Sequence, residues 1–147
     1  MLEPSDDAFN LIKKYEGLRL RAYKCLAGKY TIGYGHTANV KYGDIITVEK
    51  AEELLKKDVA FISRELNQVI KIELNQHQFD ALVSFTFNVG IGAFMTSTLL
   101  KKINSNNLKE VPTQLLRWVY VGKKITKGLV NRRKAEAELF IKPQGDL

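Results

Sequence analysis

The spacing of apolar positions predicts a mainly helical chain whose helices are interrupted early by short strands. Ser5 is a favoured N-cap residue, apolar residues follow it at helical spacing, and Gly17 supplies a stop, so the first helix is predicted to end at Glu16. Residues 18–24 alternate between apolar and basic over their first five positions, and residues 30–35 are rich in β-prone types. These two stretches predict a hairpin or a small sheet.

Helices are predicted for most of the remaining sequence. Thr47 is expected to cap a helix whose apolar face continues to Leu66, over about five turns. Asn75 begins another helix with the capping-box pattern, and Gly90 and Gly92 are predicted to end it. The fold class that follows is α+β, dominated by helices, with one small sheet near the N-terminus. Shorter helices are predicted over residues 97–103, 111–121 and 131–141.

The length and composition exclude several classes of protein. A chain of 147 residues corresponds to one domain, and 45% hydrophobic with 27% charged residues excludes a disordered or collagen-like chain. Its apolar runs are too short to span a membrane, and the acidic residues 1–7 do not resemble a signal peptide. The single cysteine, Cys25, excludes an intrachain disulfide and a multi-cysteine zinc site, so no metal or other cofactor is expected.

The net charge of +7 is distributed unevenly along the chain. Between Arg117 and Lys134 there are seven basic residues and no acidic one. A positive field of this kind attracts a polyanion, which could be nucleic acid, an anionic membrane or an acidic cell-wall polymer. The alternative is a solvated face that aids solubility, and charge alone does not distinguish these possibilities.

A glycine-rich segment matches the dinucleotide-binding pattern G-x-G-x-x-G/A at Gly33, Gly35 and Ala38. That pattern requires a preceding strand and a helix that begins within it. Residues 39–44 have no helical periodicity, so a nucleotide site is not predicted. The glycines are expected instead to serve backbone turns or the close approach of a ligand.

Two groups of residues suggest chemistry, and each has a structural alternative. Cys25 and His36 could form a thiol nucleophile and its base, although a lone cysteine is also common as a small buried hydrophobe. Glu16 is predicted at the C-terminal end of a helix, where the negative end of the helix dipole favours the protonated carboxyl group that a general acid needs. The alternative for Glu16 is a surface position at a frayed helix end.

Aromatic residues accompany the basic C-terminal stretch. Trp118 and Tyr120 beside cations would suit sugar rings or single-stranded bases. The pattern itself favours a structural role for Trp118, which is predicted to pack in the core from the same helix as Leu115 and Leu116.

One segment narrows these alternatives. Eight residues separate Glu16 from Cys25, and five residues separate Cys25 from Thr31, which matches a pattern of Glu, then Asp or Cys, then Thr at these distances. A second feature is the run Thr-Ile-Gly-Tyr-Gly-His-Thr, which begins at Thr31. In both features the chain resembles the phage lysozyme (endolysin) family, glycoside hydrolase family 24. The resemblance continues in order over nearly the whole chain, through residues 46–59, 87–90, 118 and 128–133.

The resemblance implies a lysozyme-like fold. A small N-terminal β-sheet lobe and a helical C-terminal lobe would be joined by a long helix, here residues 47–66. One catalytic domain would cover residues 1–147, with lobes of about 15–60 and 61–147. The helix 5–16 would pack near the C-terminal lobe.

For function, the resemblance implies hydrolysis of the β-1,4 bond between N-acetylmuramic acid and N-acetylglucosamine in peptidoglycan. By analogy Glu16 is the general acid, while Cys25 and Thr31 position or activate water on the other face of the sugar. The usual scheme has a second carboxylate where this chain has Cys25, so the thiol could act as a thiolate, as a neutral hydrogen-bonding group or as a spectator. A lytic transglycosylase acting on the same bond and a non-enzymatic binding module for cell wall or nucleic acid are the alternatives.

The same resemblance implies further roles. Tyr34, Asn88 and Arg132 match substrate-binding positions, and Arg132 matches an arginine that approaches the glutamate. His36 and Asp58 match a structural ion pair. The expected protein is a monomer that binds glycan strands and no nucleic acid. Because no secretion signal is recognised, it would stay in the host cytoplasm until a holin-type membrane breach gives access to periplasmic peptidoglycan.

Overall fold

The computed structural model describes residues 1–25 and 27–144. Residues 25–29, between the two strands predicted early in the chain, are predicted to form a turn, and Leu26 of that turn lies outside the described residues. Helices dominate, and the strands form two small antiparallel pairs, as expected for an α+β fold. A 3₁₀ turn at Leu108–Glu110 precedes the sixth α-helix. In chain order the elements are α1 (Asp6–Glu16), β1 (Arg19–Lys24), β2 (Tyr30–Gly33), α2 (Val48–Val69), α3 (Gln76–Val89), α4 (Ile91–Met95), α5 (Thr98–Asn104), α6 (Val111–Leu115), β3 (Tyr120–Val121), β4 (Lys124–Ile125) and α7 (Lys127–Ile141).

The N-terminal hairpin forms where alternation predicted it. β1 and β2 are antiparallel, and Tyr23 lies opposite Thr31 in their register. The following loop also pairs with β1, since Ile46 N–H donates to the Leu20 carbonyl at 2.9 Å and Ile45 forms a bridge with Arg21. Residues 45–46 therefore pair with the hairpin as a third, irregular segment, although they form no regular strand of their own.

The long helix α2 follows this hairpin and leads into the helical part of the chain. The Thr47 hydroxyl accepts the Lys50 N–H at 3.0 Å, which confirms the predicted cap. The buried face of α2 includes Leu55 and Leu66, and the helix continues to Val69. It packs against β2 on one side and α3 on the other, so it joins the hairpin to the helices.

Helix α3 is the centre of the helical core. Asn75 and Gln78 form the predicted capping box, and α3 packs against α1, α2 and α7. Phe79, Leu82 and Phe85 are buried on it. Because α3 touches three other helices, it carries a buried residue at nearly every position along its middle turns, where the sequence pattern predicts a single stripe.

Helix α1 is fixed at its N-terminus by a contact from another helix. Ser5 has the predicted N-cap position, but its hydroxyl donates to Asp80 Oδ2 and its N–H donates to Asp80 Oδ1 at 2.9 Å. Asp80 is completely buried on α3. At the other end, Gly17 adopts φ +71° and closes the helix as predicted, so Glu16 is its last residue.

Several predictions for the C-terminal half are wrong. Gly90 ends α3, but Gly92 lies inside α4 and does not act as a stop. The helix predicted over 111–121 ends at Leu115, because the β-prone residues after it form a second hairpin, β3–β4, around Gly122, which has φ +61°. Helix α7 begins at Lys127, four residues before the predicted start at Asn131.

Candidate active site

Glu16 lies at the contact between α1 and α7. It ends α1, and Arg132 of α7 reaches it with Nη1 2.7 Å from Glu16 Oε2. The Arg132 side chain is 3% exposed, whereas that of Glu16 is 20% exposed. The carboxyl group is therefore anchored from the protein interior while part of it stays open to solvent, which excludes the frayed surface position considered from the sequence.

The second carboxyl oxygen of Glu16 lies against a glycine. A Cβ atom built on Gly35 would lie 2.7 Å from Glu16 Oε1 and 3.3 Å from the ring of Phe87. Gly35 also has φ +76°, a conformation that other residues adopt only with strain. The glycine-rich run after β2 thus supplies the close backbone approach that was expected in place of a nucleotide site.

Arg132 is itself held by a buried carboxylate. Glu136 is completely buried, and its Oε2 accepts hydrogen bonds from Arg132 Nε at 3.2 Å and from Ser84 Oγ at 2.6 Å. Arg132 Nη2 donates to the Ser84 carbonyl at 3.0 Å. Every nitrogen of the guanidinium group therefore has an acceptor, and its orientation toward Glu16 is fixed.

A second arginine extends this network to the cavity wall. Arg133 Nη1 donates to Glu136 Oε1 at 2.7 Å, and Arg133 Nε donates to the Trp118 carbonyl at 2.8 Å. Its Nη2 donates to Asn88 Oδ1. Burial lowers the pKa of Arg133, and the Glu136 carboxylate opposes that effect. Sequence analysis missed Arg133 and Glu136 as site residues, although their spacing from Arg132 on one helix was the signal that could have found them.

A cavity of about 740 Å³ opens beside Glu16. Arg132, Asn88, Trp118 and Tyr120 reach it, so the structure brings these residues, all singled out from the sequence, together with Glu16. Trp118 follows α6 and does not lie on it, and its ring packs edge-on against Phe85 with centroids 5.4 Å apart. The full lining consists of Tyr15, Glu16, Asn88, Val89, Arg117, Trp118, Tyr120, Val121, Thr126, Gly128, Leu129, Arg132 and Arg133.

Cys25 and Thr31 lie together on the β1–β2 hairpin. Thr31 is 4% exposed and its hydroxyl donates to the Lys29 carbonyl at 3.2 Å. Cys25 N–H donates to the same carbonyl at 2.9 Å, and its thiol is partly exposed. Hydrogen bonding by the Lys29 and Ala27 backbone, and then by the Thr31 hydroxyl, lowers the pKa of the Cys25 thiol. The thiolate is therefore more populated near neutral pH than in an ordinary cysteine.

The contacts of His36, Asp58 and Tyr34 are with other groups of the protein. His36 Nδ1 lies 2.7 Å from Asp58 Oδ2, and His36 Nε2 lies 3.0 Å from the Ala38 carbonyl, so the two residues are in contact and both ring nitrogens of His36 have partners other than Cys25. Tyr34 packs against the hydrophobic core, and the Lys13 ammonium lies 5.5 Å from its ring centroid. A substrate contact of Tyr34 stays a prediction.

The basic C-terminal stretch divides into buried and exposed cations. Arg132 and Arg133 are buried in the network described above, so they do not contribute to a solvated face. The remaining cations are exposed around the β3–β4 hairpin and α7: Arg117, Lys123, Lys124, Lys127 and Lys134.

Two features are absent from residues 1–25 and 27–144. Within these ranges, no group of His, Cys, Asp or Glu side chains is arranged to hold a metal ion. None of the helices in the same ranges combines the length and apolar character needed to cross a membrane.

Known proteins are similar to this chain in both sequence and fold. The family model for phage lysozyme matches residues 13–136. An endolysin of Acyrthosiphon pisum secondary endosymbiont phage 1 is 48% identical over 140 residues, covering 92% of this chain and 96% of that protein. In endolysins of two Bacillus phages the match spans only 53% and 55% of the relative's own length.

Solved structures extend the comparison to three dimensions. The muramidase domain of SpmX from Asticaccaulis excentricus superposes with a TM-score of 0.90 at 37% identity, covering 97% of this chain and 100% of that chain. A P22 lysozyme mutant superposes with a TM-score of 0.83, also at 37% identity, covering 97% of this chain and 100% of that chain. The fold is therefore that of a lysozyme-type glycoside hydrolase. In this chain a buried arginine, Arg132, holds Glu16 beside the cavity. The chain belongs to the phage lysozyme family.

Proposed function

We propose that this chain hydrolyses the β-1,4 bond between N-acetylmuramic acid and N-acetylglucosamine in peptidoglycan, with Glu16 as the general acid. The observation that carries the proposal is the position of the Glu16 carboxyl group. It borders the 740 Å³ cavity, with Oε2 bound by Arg132 and Oε1 beside Gly35. A partly open carboxyl group with a fixed orientation is what proton donation to a bound glycosidic oxygen requires.

In the proposed step, the protonated Glu16 carboxyl transfers its proton to the bridging oxygen. The bond between that oxygen and the anomeric carbon breaks, and its electron pair stays on the leaving sugar. Water adds to the anomeric carbon and releases a proton, which restores the balance of atoms and charge. Oε1 is the better-placed donor, because Oε2 already accepts the Arg132 hydrogen bond.

Cys25 and Thr31 are proposed to hold or activate that water from the β1–β2 hairpin. A lowered thiol pKa supports a hydrogen-bond acceptor at Cys25, and the nearby Thr31 hydroxyl supplies a polar partner. An unperturbed thiol is only a few per cent ionised at pH 7, so the backbone hydrogen bonds at Lys29 and Ala27 are what make a thiolate role feasible. The thiolate, the neutral hydrogen-bonding group and the spectator are separated by the substitutions described in the Discussion.

The electrostatics of the cavity rim suit a wall polymer. Arg117 lines the cavity with Glu16, and exposed Lys123, Lys124 and Lys127 lie on the adjacent hairpin and helix start. Peptidoglycan carries carboxylates on its peptides, so this rim attracts it to the side of the molecule that holds Glu16.

We propose glycan strands as the binding partner and a monomer as the active state. We also propose that residues 1–147 form a single catalytic domain with lobes of about residues 15–60 and 61–147.

The route to the substrate is a separate part of the proposal. We propose that the protein collects in the host cytoplasm and reaches periplasmic peptidoglycan through a holin-type membrane breach. Expression in Escherichia coli with and without a holin tests this route. Lysis only with the holin supports it, and lysis at the same time without the holin contradicts it.

Product analysis of purified peptidoglycan tests the reaction. Wild-type protein should release fragments with reducing muramic acid ends, and Glu16→Gln should lower the rate by about a hundredfold to ten-thousandfold. Glu138→Gln is the matched control, because it removes one exposed carboxylate from α7 and should keep the wild-type rate.

Each contrary result of the product analysis identifies a different error. Anhydro-muramic ends would make the protein a lytic transglycosylase. Full activity in Glu16→Gln would remove Glu16 as the acid. Salt-sensitive DNA binding without any product would favour the binding module.

A further inference from the structure

Glu136 lies at the junction of the two arginines that reach the cavity. Through Arg132 it is linked to Glu16, and through Arg133 it is linked to Asn88 and to the Trp118 carbonyl. Its own side chain is completely buried and does not border the cavity. Any effect of Glu136 on the reaction must therefore pass through the arginines.

The four charged groups of this network balance one another. When Glu16 is ionised, Glu16 and Glu136 each contribute one negative charge, and Arg132 and Arg133 each contribute one positive charge; when Glu16 holds its proton, the network carries one excess positive charge. Three of the four side chains are almost fully buried, so their charges are poorly screened by water. Neutralising Glu136 would leave two guanidinium charges opposite Glu16 alone.

We propose that Glu136 is a positioning residue with two effects on Glu16: it fixes the orientation of Arg132, which holds the Glu16 carboxyl group, and its negative charge offsets the positive charge of the two arginines. This inference rests on the proposed role of Glu16 as general acid. In the absence of the Glu136 charge, the excess positive charge favours the carboxylate form of Glu16 and so depletes the proton donor.

The other ionisable groups around Glu16 have partners or lie toward solvent. Lys13, on the same helix, pairs with Glu52 at 2.6 Å, and His36 pairs with Asp58 on the hairpin side. Helix α3 faces Glu136 and Arg132 with Ser84, which is uncharged. The remaining titratable groups that border the cavity are Tyr15, Arg117 and Tyr120.

The test uses three folded variants and the pH dependence of kcat/KM on soluble peptidoglycan fragments at constant ionic strength. In Glu136→Gln the alkaline loss of activity should move to lower pH by about one unit, because one positive charge is left unbalanced. In Arg133→Gln it should move to higher pH, because one negative charge is left unbalanced. The double variant, Glu136→Gln with Arg133→Gln, should return the alkaline limb to the wild-type position.

Shifts of opposite sign separate this role from simple damage to the fold. Loss of packing would lower kcat in all three variants without moving the limb in two directions. Unchanged limbs, or shifts of the same sign in both single variants, overturn the proposal. Should Glu136→Gln not fold, Arg133→Gln decides alone: a shift to higher pH supports the proposal, and any other position of the limb overturns it.

The proposed function and this inference fail in distinguishable ways. Full activity in Glu16→Gln would remove the general acid and with it the proposed function. An active wild type with an inactive Glu16→Gln, combined with unmoved limbs in the network variants, would reject only the role of Glu136.

Discussion

Glu16 and Arg132 are 116 residues apart in the sequence, yet Glu16 Oε2 and Arg132 Nη1 lie 2.7 Å apart. The contact connects the last residue of α1 with the second turn of α7, and both helices pack against α3. It places a guanidinium group beside a carboxyl group at the C-terminal end of α1. The orientation of the Glu16 carboxyl group is therefore set by a tertiary contact as well as by its place at the helix end.

Replacing Arg132 should damage both the fold and the reaction. Arg132→Ala leaves Glu136 buried with one charged partner fewer, and we expect the free energy of unfolding to fall by about 3–5 kcal/mol. Arg132→Lys keeps the charge but cannot reach Glu16, Glu136 and Ser84 together, so it should be intermediate in stability and still strongly impaired in lysis. Urea denaturation and turbidity assays measure the two effects. Wild-type activity in Arg132→Lys would contradict the orienting role.

A single methyl group at Gly35 should disable the site. Gly35→Ala puts a Cβ atom 2.7 Å from Glu16 Oε1, so the carboxyl group must move and activity should fall by about a hundredfold. Gly43→Ala is the matched control, because Gly43 also has a positive φ, of +86°, but has open space around its Cβ position. Both variants should lose roughly 1–2 kcal/mol of stability from backbone strain. Equal losses of activity in the two variants would show that strain, not the contact with Glu16, is responsible.

Substitution of Cys25 distinguishes its three possible roles. Cys25→Asp restores the second carboxylate of the usual glycosidase scheme and should keep substantial activity, while Cys25→Ala should lose most of it. Cys25→Ser keeps a neutral hydrogen-bonding group without an accessible anion, so its activity reports how much the thiolate matters. Rates on purified peptidoglycan provide the measurement. Full activity in Cys25→Ala would make the thiol a spectator.

The reactivity of Cys25 should depend on pH in a direction set by its hydrogen bonds. Because the folded protein lowers the pKa of this thiol, the thiolate forms at lower pH than in the unfolded chain. Alkylation by iodoacetamide should therefore reach half its maximal rate at lower pH in native protein than in protein unfolded by urea. The Thr31→Val variant should move the native midpoint back upward, since it removes one of the contributing hydrogen bonds. A native midpoint at or above the unfolded one would refute the shift.

The buried contact between Ser5 and Asp80 should stabilise the start of α1. Asp80→Ala removes the acceptor for the Ser5 N–H, the Ser5 hydroxyl and the Gln76 amide, and should cost about 2–3 kcal/mol of unfolding free energy. Ser5→Ala keeps the backbone donor and should cost about 1 kcal/mol. Thermal or urea denaturation of both variants gives the comparison. Equal costs would mean that the hydroxyl, not the backbone group, carries the contact.

Much of the local structure was predictable because its signals lie within a few residues of one another. The caps at Thr47 and Asn75 use donors three residues away, and Gly17 ends α1 through its own backbone conformation. The same is true of Glu16, whose place at a helix end follows from that stop. The second hairpin was missed because the predicted helix was continued through the apolar residues up to Val121, and only packing after α6 decides between helix and strand there.

The sequence by itself determined the end of α1, the starts of α2 and α3, the first hairpin and the Glu16–Cys25–Thr31 spacing, since each depends on neighbours along the chain. The tertiary structure alone decided which distant groups share the site: Arg132 lies against Glu16, and Arg133 lies against Asn88 and the Trp118 carbonyl. The reason is that burial on α3 excludes water from these groups, so each charge must find its partner on another turn or another helix. That pairing depends on how α1, α3 and α7 pack, which no pattern of neighbouring residues contains.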